Sequence, residues 1–337
     1  MKKIILSTVV AFGLASTLSA GSVTVKSKAG VLKFSGEHRL SYTDSDKKGS
    51  SQEKGEFSID RTYLQVKAYF FENPKSYARV TLDGKDENGT YKTYIKYSYL
   101  YLADILPHTG VEMGQVHKPW VDYEEHYGFT KQAVYGVYTD KLHVTSSADR
   151  GINFKTKLAN FSSEIGVFQG EGYKNTPDYA NEGKSFDARL TYHVFGTKNK
   201  GEYLNFSVAG ANNSKHNKIS ANKFGDMNWA LVHAVYKNSQ YLLAGQYLDI
   251  SKNEKVGHDD KGKGYSLNGD LYFGKTTLFA RYDEFKRDRD DNKKKKTIAG
   301  VAYKYNKNVT FALSSIKLQQ TGAKDENKVQ ALAWIKW

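Results

Sequence analysis

From residue 30 to the last residue one pattern repeats: an amphipathic segment of about ten residues, then a spacer, with the spacers alternately short and long. Residue character within a segment alternates with a period of two, as it does on a β-strand whose successive side chains point to opposite faces. Leu64, Val66, Ala68 and Phe70 share one face, while Tyr63, Gln65, Lys67 and Tyr69 share the other. Phe186, Ala188, Leu190, Tyr192 and Val194 oppose Asp187, Arg189, Thr191 and His193, and Ile152, Phe154 and Leu158 oppose Asn153, Lys155 and Lys157. The chain ends in the same way. Val329, Ala331, Ala333, Ile335 and Trp337 form an apolar face that requires an apolar medium, whereas Gln330, Leu332, Trp334 and Lys336 form the other. Segment 297–305 alternates less clearly, as is common for barrel strands.

Sixteen candidate strands follow: 30–42, 56–71, 76–84, 91–103, 110–118, 147–158, 161–170, 184–195, 203–211, 227–237, 240–250, 263–273, 276–286, 296–305, 308–318 and 328–337. Tight connections at 72–75, 159–160, 238–239, 274–275 and 306–307 read as hairpin turns. Longer loops fall at 43–55, 171–183, 212–226, 251–262, 287–295 and 319–327, and the longest is 119–146. Short turns on one rim, long loops on the other and an even strand count describe an all-β, transmembrane, antiparallel up-and-down barrel of sixteen strands, with eighteen as the alternative. In lipid each unsatisfied backbone group costs on the order of several kcal/mol, so the first and last strands must pair and close the ring. Trp337 then sits in the aromatic girdle at the periplasmic side, where it serves membrane insertion.

The composition agrees. After residue 20 no apolar run could span a bilayer as a helix, and mean hydropathy is −0.63. Lys2 and Lys3, the apolar run Ile4 to Leu18 and the small residues around Ala20 read as a cleaved secretory signal peptide over 1–20, leaving 21–337 as an outer-membrane barrel. With 0 Cys there is no disulfide framework and no thiolate chemistry. The 25 Tyr suit membrane interfaces. The formal charge of +14 falls to roughly +12 without Lys2 and Lys3. An exported protein so charged meets lipopolysaccharide, outer-membrane lipid or small anionic solutes rather than nucleic acid.

A barrel of sixteen strands is too wide for side chains to fill, so the polar faces line water. With apolar faces outward, Lys33, Arg39, Arg61, Lys67, Arg79, Lys92, Lys96, Lys155, Arg189 and Arg281 become pore-lining, together with Glu37, Gln65, Asp83, Lys157 and Asp187. Cations outnumber carboxylates, which predicts an anion-attracting lumen unless neighbouring carboxylates neutralise them. Loop 119–146 is rich in aromatic residues, so it is expected to fold into the lumen and set the constriction. There Trp120, Asp122, Glu124, Glu125 and His126 are its candidate residues, the acids facing Arg39, Arg61 and Arg79. The lysine run 293–296 reads as a solvated loop end within reach of lipopolysaccharide.

"GQVHKPW" (Gly114 to Trp120) and "SADRGINF" (Ser147 to Phe154) resemble the segments that bracket the third loop in Gram-negative outer-membrane porins, most nearly the phosphate-selective porin O/P group. The resemblance implies a water-filled diffusion pore and a homotrimer. No dense arginine run matches the binding ladder of that group. No catalytic triad, metal-ligand spacing or cofactor motif is present, His108, His117, His126 and His143 included. The rival readings are a barrel enzyme or adhesin with a plugged lumen, and a secreted soluble β-protein.

Overall fold

The computed structural model describes residues 17–19, 22–27, 30–47, 55–87, 89–170, 172–174, 183–197, 201–220, 223–256 and 258–337. The expected signal peptide falls largely outside these residues. Of it only Thr17–Ser19 is described, as a short strand paired with Ser22–Ser27, which in turn pairs with the start of the first barrel strand.

Sixteen antiparallel strands close into a barrel. They are β1 Gly30–Ser45, β2 Glu56–Tyr69, β3 Tyr77–Glu87, β4 Thr90–Leu106, β5 Thr109–His117, β6 Ala148–Lys157, β7 Phe161–Phe168 and β8 Ser185–Thr197, followed by β9 Glu202–Ser220, β10 Lys223–Lys237, β11 Tyr241–Lys255, β12 Gly262–Phe273, β13 Thr276–Arg287, β14 Lys293–Lys304, β15 Val309–Gln320 and β16 Glu326–Lys336. Each pairs with the next, and β16 pairs with β1 from Lys328 opposite Ser45 to Lys336 opposite Glu37. Beyond β16, the Trp337 amide donates to the Gly36 carbonyl and the Gly36 amide to the Trp337 carbonyl. A Cβ on Gly36 would come within 2.5 Å of the Trp337 ring, so the seam needs glycine there. No helix among the described residues is long and apolar enough to cross a membrane.

The predicted strands recur with shifted ends. Polar loops were expected at 212–226 and 287–295, but β9 and β10 run on to Ser220 and from Lys223, and β14 begins at Lys293. Polar residues above the bilayer still hydrogen-bond across a hairpin, so hydropathy misplaces these ends. The lysine run is therefore not a loop end. Lys294 and Lys296 have lumen parity, the latter 3.3 Å from Asp283, while Lys293 and Lys295 stand on the outer face.

Large apolar side chains such as Leu82, Ile152, Phe154, Leu190, Leu267 and Leu313 are exposed on the outer surface, where lipid covers them. Apolar faces do not all look outward: Met227, Trp229, Leu231, Leu248, Ile250, Phe279, Ile298 and Ile316 are buried inside the barrel. Their cover is the long loop. Weak alternation at 297–305 has this cause, since Ile298 and Ala302 point inward while Val301 and Tyr303 point to lipid.

Substituting Leu313 with Arg should cost about 2–4 kcal/mol, because it places a cation in lipid near mid-height. Denaturant unfolding of the bilayer-inserted protein, read by heat-modifiable gel migration, measures this.

Candidate functional site: the lumen and its folded loop

Between β5 and β6 the chain turns into the barrel and lies against the inner wall of β8 to β16. Lys118 enters 3.0 Å from Asp187, and Arg189 donates to the Pro119 carbonyl at 3.0 Å. A short turn of helix at Val121–Tyr123 continues into a wide turn at Glu124–Gly128, closed by the Phe129 amide on the Glu124 carbonyl at 2.7 Å. Trp120, Tyr123 and Tyr138 pack with Met227, Trp229, Leu231, Leu248 and Ile250, and Ala133 and Val134 pack with Phe279, Ile298, Ile316 and Leu332. These apolar contacts hold the loop down. Polar anchors fix its register: Thr130 and Lys131 reach Asp270 at 2.8 and 3.0 Å, Arg281 donates to the Gly136 carbonyl at 2.9 Å, and the Tyr138 hydroxyl donates to the Glu284 carbonyl at 2.7 Å.

The loop separates two vestibules. The one towards the long-loop rim, about 730 Å³, is lined by Arg39, Arg61, Lys85, Glu125, Asp140 and Lys141 among others. The one towards the short-turn rim, about 580 Å³, includes Asp122, His126, Lys155, Glu164, Arg189 and His193. Asp122 and Glu125 thus face opposite vestibules, opposite the cationic wall of β1 to β6. Burial opposes ionisation of Asp122, but His117, His126, Lys155 and Arg79 hold its carboxyl well below the usual carboxylate range. His126 sits beside it, 3.5 Å from Asp122.

Glu124 does not face the open lumen as expected. It is buried against β11, where its carboxylate accepts from Trp120 Nε1 at 2.9 Å and Gln246 Nε2 at 2.6 Å. Trp120 is likewise an anchor rather than a surface of the constriction. Burial pushes the Glu124 carboxyl up to about 7, against the opposing pull of Arg281 and the two hydrogen bonds.

All ten predicted wall cations stand at lumen parity, but in two chemical states. Arg39 lies 2.6 Å from Glu37, Arg61 3.3 Å from Asp83, Lys155 3.1 Å from Glu112, Arg189 3.0 Å from Glu164 and Arg281 2.7 Å from Asp283. Arg281 is in addition covered by the loop, under the Phe129 ring at 4.4 Å. Among the described residues no carboxylate lies within 4 Å of Lys33, Lys67, Arg79, Lys92 or Lys96. Lys33, Lys67 and Arg79 form one row of directly opposed residues across β1, β2 and β3. Each rests on a tyrosine face: Lys33 on Tyr69 at 4.9 Å, Lys67 on Tyr77 at 4.4 Å and Arg79 on Tyr97 at 4.2 Å. Lys96 donates to the Tyr63 hydroxyl. Arg79 also donates to His117 Nε2 at 3.0 Å, and His117 Nδ1 in turn donates to Glu112 at 3.1 Å, which brings the row up to the constriction. The tyrosines and Glu112 were missed from sequence, although alternate Tyr97, Tyr99 and Tyr101 mark one face of β4.

A family model described as Gram-negative porin matches residues 7–320. The chain belongs to the Gram-negative porin family. Solved structures share the porin fold at low identity. OmpT of Vibrio cholerae aligns with a TM-score of 0.68 at 14% identity, over 93% of this chain and 100% of that one. The anion-selective porin of Comamonas acidovorans gives 0.68 at 14%, over 91% and 100%. A mutant Rh. blastica porin gives 0.60 at 14%, over 91% and 100%. A search of curated proteins finds no match. The porin is thus an outer-membrane channel with its third loop folded inside. The narrower likeness to the phosphate-selective O/P group is not carried by these comparisons.

Because the folded protein holds the Glu124 proton more tightly than the unfolded chain does, it binds more protons in the interval from about 4.5 to about 7, and loop docking weakens as pH rises through it. Single-channel current noise should therefore be greater at pH 8 than at pH 5, and E124Q should remove the difference.

Proposed function

We propose that this porin passes small hydrophilic solutes and ions by passive diffusion, prefers anions and catalyses no reaction. The observation that carries the reading is the row Lys33, Lys67 and Arg79. Like charges directly opposed on neighbouring strands cost roughly 0.2–1 kcal/mol each, and a tyrosine face beneath a cation offsets this by a similar amount without cancelling its charge. Cations paired with carboxylates contribute little net field; those on tyrosine keep theirs. Screening over about 8 Å restricts selectivity to charges near the narrow passage, and Arg79 is there, joined to His117 beside Asp122. Similarity to a porin described as anion-selective supports the same preference.

The porin works as a homotrimer in the bacterial outer membrane, in contact with lipid and lipopolysaccharide, after loss of a signal peptide over 1–20. A similar structure, in-vitro folded OmpT of Vibrio cholerae, is described as a trimer form. No cofactor is required for diffusion.

Planar-bilayer recording under a salt gradient tests the preference. The zero-current potential should have the sign of anion permeation, and the K67Q/R79Q variant should lower the anion-to-cation ratio roughly twofold or more. Cation preference in the parent protein would overturn the reading. Deleting 121–130 should raise single-channel conductance, because that segment contributes Asp122, Glu125 and His126 to the constriction; unchanged conductance would remove its role as the narrow point.

A further inference from the structure

The vestibule towards the short-turn rim has a lining that ion diffusion does not explain. Two tyrosines reach it from different elements. Tyr101 of β4 lies across β5: a Cβ on Gly110 would overlap its ring, so glycine there lets the ring extend towards Lys155, the residue paired with Gly110 on β6. Tyr77 backs it at 5.1 Å. Tyr127 enters from the folded loop, stacked on Tyr123 at 4.8 Å and edge-on to Tyr203 at 5.3 Å. Tyr101 and Tyr127 are both half-buried and line the cavity of about 580 Å³, a volume within the usual range of small-molecule sites. Neither stands on the outer face, so the membrane interface, where barrels concentrate tyrosine, does not account for them.

The charges of this cavity are unevenly matched. Its carboxylates are engaged: Asp104 with Lys75 at 3.1 Å, Glu164 with Arg189 at 3.0 Å and Lys155 at 3.5 Å, and Asp122 with His126 at 3.5 Å. Lys157 lines the same cavity, one inward position nearer the rim than Lys155, and among the described residues no carboxylate lies within 4 Å of it. Much of the polar wall is committed as well. Ser162 donates to His193 Nε2 at 2.9 Å, His193 Nδ1 donates to Asn205 at 2.9 Å, Asn205 donates to the Tyr123 hydroxyl at 3.2 Å, and the Tyr203 hydroxyl donates to the Tyr127 carbonyl at 3.1 Å. The cavity therefore offers a solute aromatic surface and an uncommitted cation rather than a set of open hydrogen-bonding partners.

We propose that this vestibule is a binding site for small aromatic carboxylates, with the ring against the tyrosine surfaces of Tyr101 and Tyr127 and the carboxylate directed to Lys157. A planar aromatic ring gains a contact with tyrosine that a saturated ring of similar size does not, and a carboxylate meeting an unpaired ammonium displaces no existing partner. A sugar acid would bring hydroxyls to a wall whose donors and acceptors are already bonded to each other, and leaving them unsatisfied is costly. This inference rests on the channel reading with its anion preference, and names the class of solute that dwells in the pore.

Single-channel recording of the full-length protein in planar bilayers under symmetric KCl tests this, with benzoate and cyclohexanecarboxylate as probes. Benzoate should block the current reversibly and saturably, at a concentration about three- to tenfold below that needed for cyclohexanecarboxylate, which has the same charge but no aromatic face. Y101L and Y127L should each reduce that advantage to about twofold or less. K157Q should weaken block by both carboxylates several-fold and leave their ratio in place. Because Y127L also touches the packing of the loop, Y101L, on a barrel strand, decides the aromatic contact. Equal blocking concentrations in the parent, an undiminished benzoate advantage in Y101L, or unchanged block in K157Q would overturn the proposal. Stepwise conductance without any probe tests the channel separately: its absence removes the porin reading, whereas a conducting pore that benzoate fails to block removes the site alone.

Discussion

A strand in lipid has no water to satisfy its peptide groups, and every other feature of this protein follows from that deficit. Sixteen strands satisfy each other only as a ring, and the ring depends on β16 meeting β1 in one register. Gly36 and Trp337 show how closely this is fitted: the last residue bonds to the Gly36 backbone on both sides, and its ring occupies the space a side chain there would need. Closure at this strand number makes the interior wider than side chains can fill. The protein fills part of it with the loop between β5 and β6.

Loop 118–147 gives the inner wall of β8 to β16 a second apolar core. The wall therefore has two kinds of interior. Under the loop, Arg281 and Arg189 are buried and paired with Asp283 and Glu164, since an unpaired charge there would be costly. Opposite the loop Arg39, Arg61 and Lys155 are paired with carboxylates as well, whereas Lys33, Lys67 and Arg79 have none within 4 Å among the described residues and lie on tyrosines. Arg189 and Arg281 serve as anchors because the loop lies over them, while the cations left on tyrosine faces stand on the wall it does not cover.

Like-charge rows occur on both faces of the sheet, Lys33, Lys67 and Arg79 within and Lys263, Lys286 and Lys293 without. A row of this kind opposes the pairing of the strands that carry it. Inside, aromatic faces compensate; outside, Asp249 and Asp291 lie beside two of the three lysines.

Period-two alternation made the strands legible from sequence because one face of each meets lipid and the other water, as in Tyr63 to Phe70, and lipid tolerates few exceptions. It also set the strand number, the closure and the entry of an aromatic-rich loop. It misplaced hairpin ends such as Ser220 and Lys293, since hydropathy does not report hydrogen bonding above the membrane. Residue parity put all ten cations on the lumen side, yet could not distinguish Arg281, locked to Asp283, from Arg79, resting on Tyr97. It likewise could not tell that Glu124 turns into the wall while Glu125 turns to the passage. Those outcomes depend on which strands lie beside or across from one another and on which wall the loop covers, and such distances exist only after the ring has closed. Local sequence thus determined a lipid-facing, water-filled barrel, and tertiary packing alone decided which of its charges remain uncancelled.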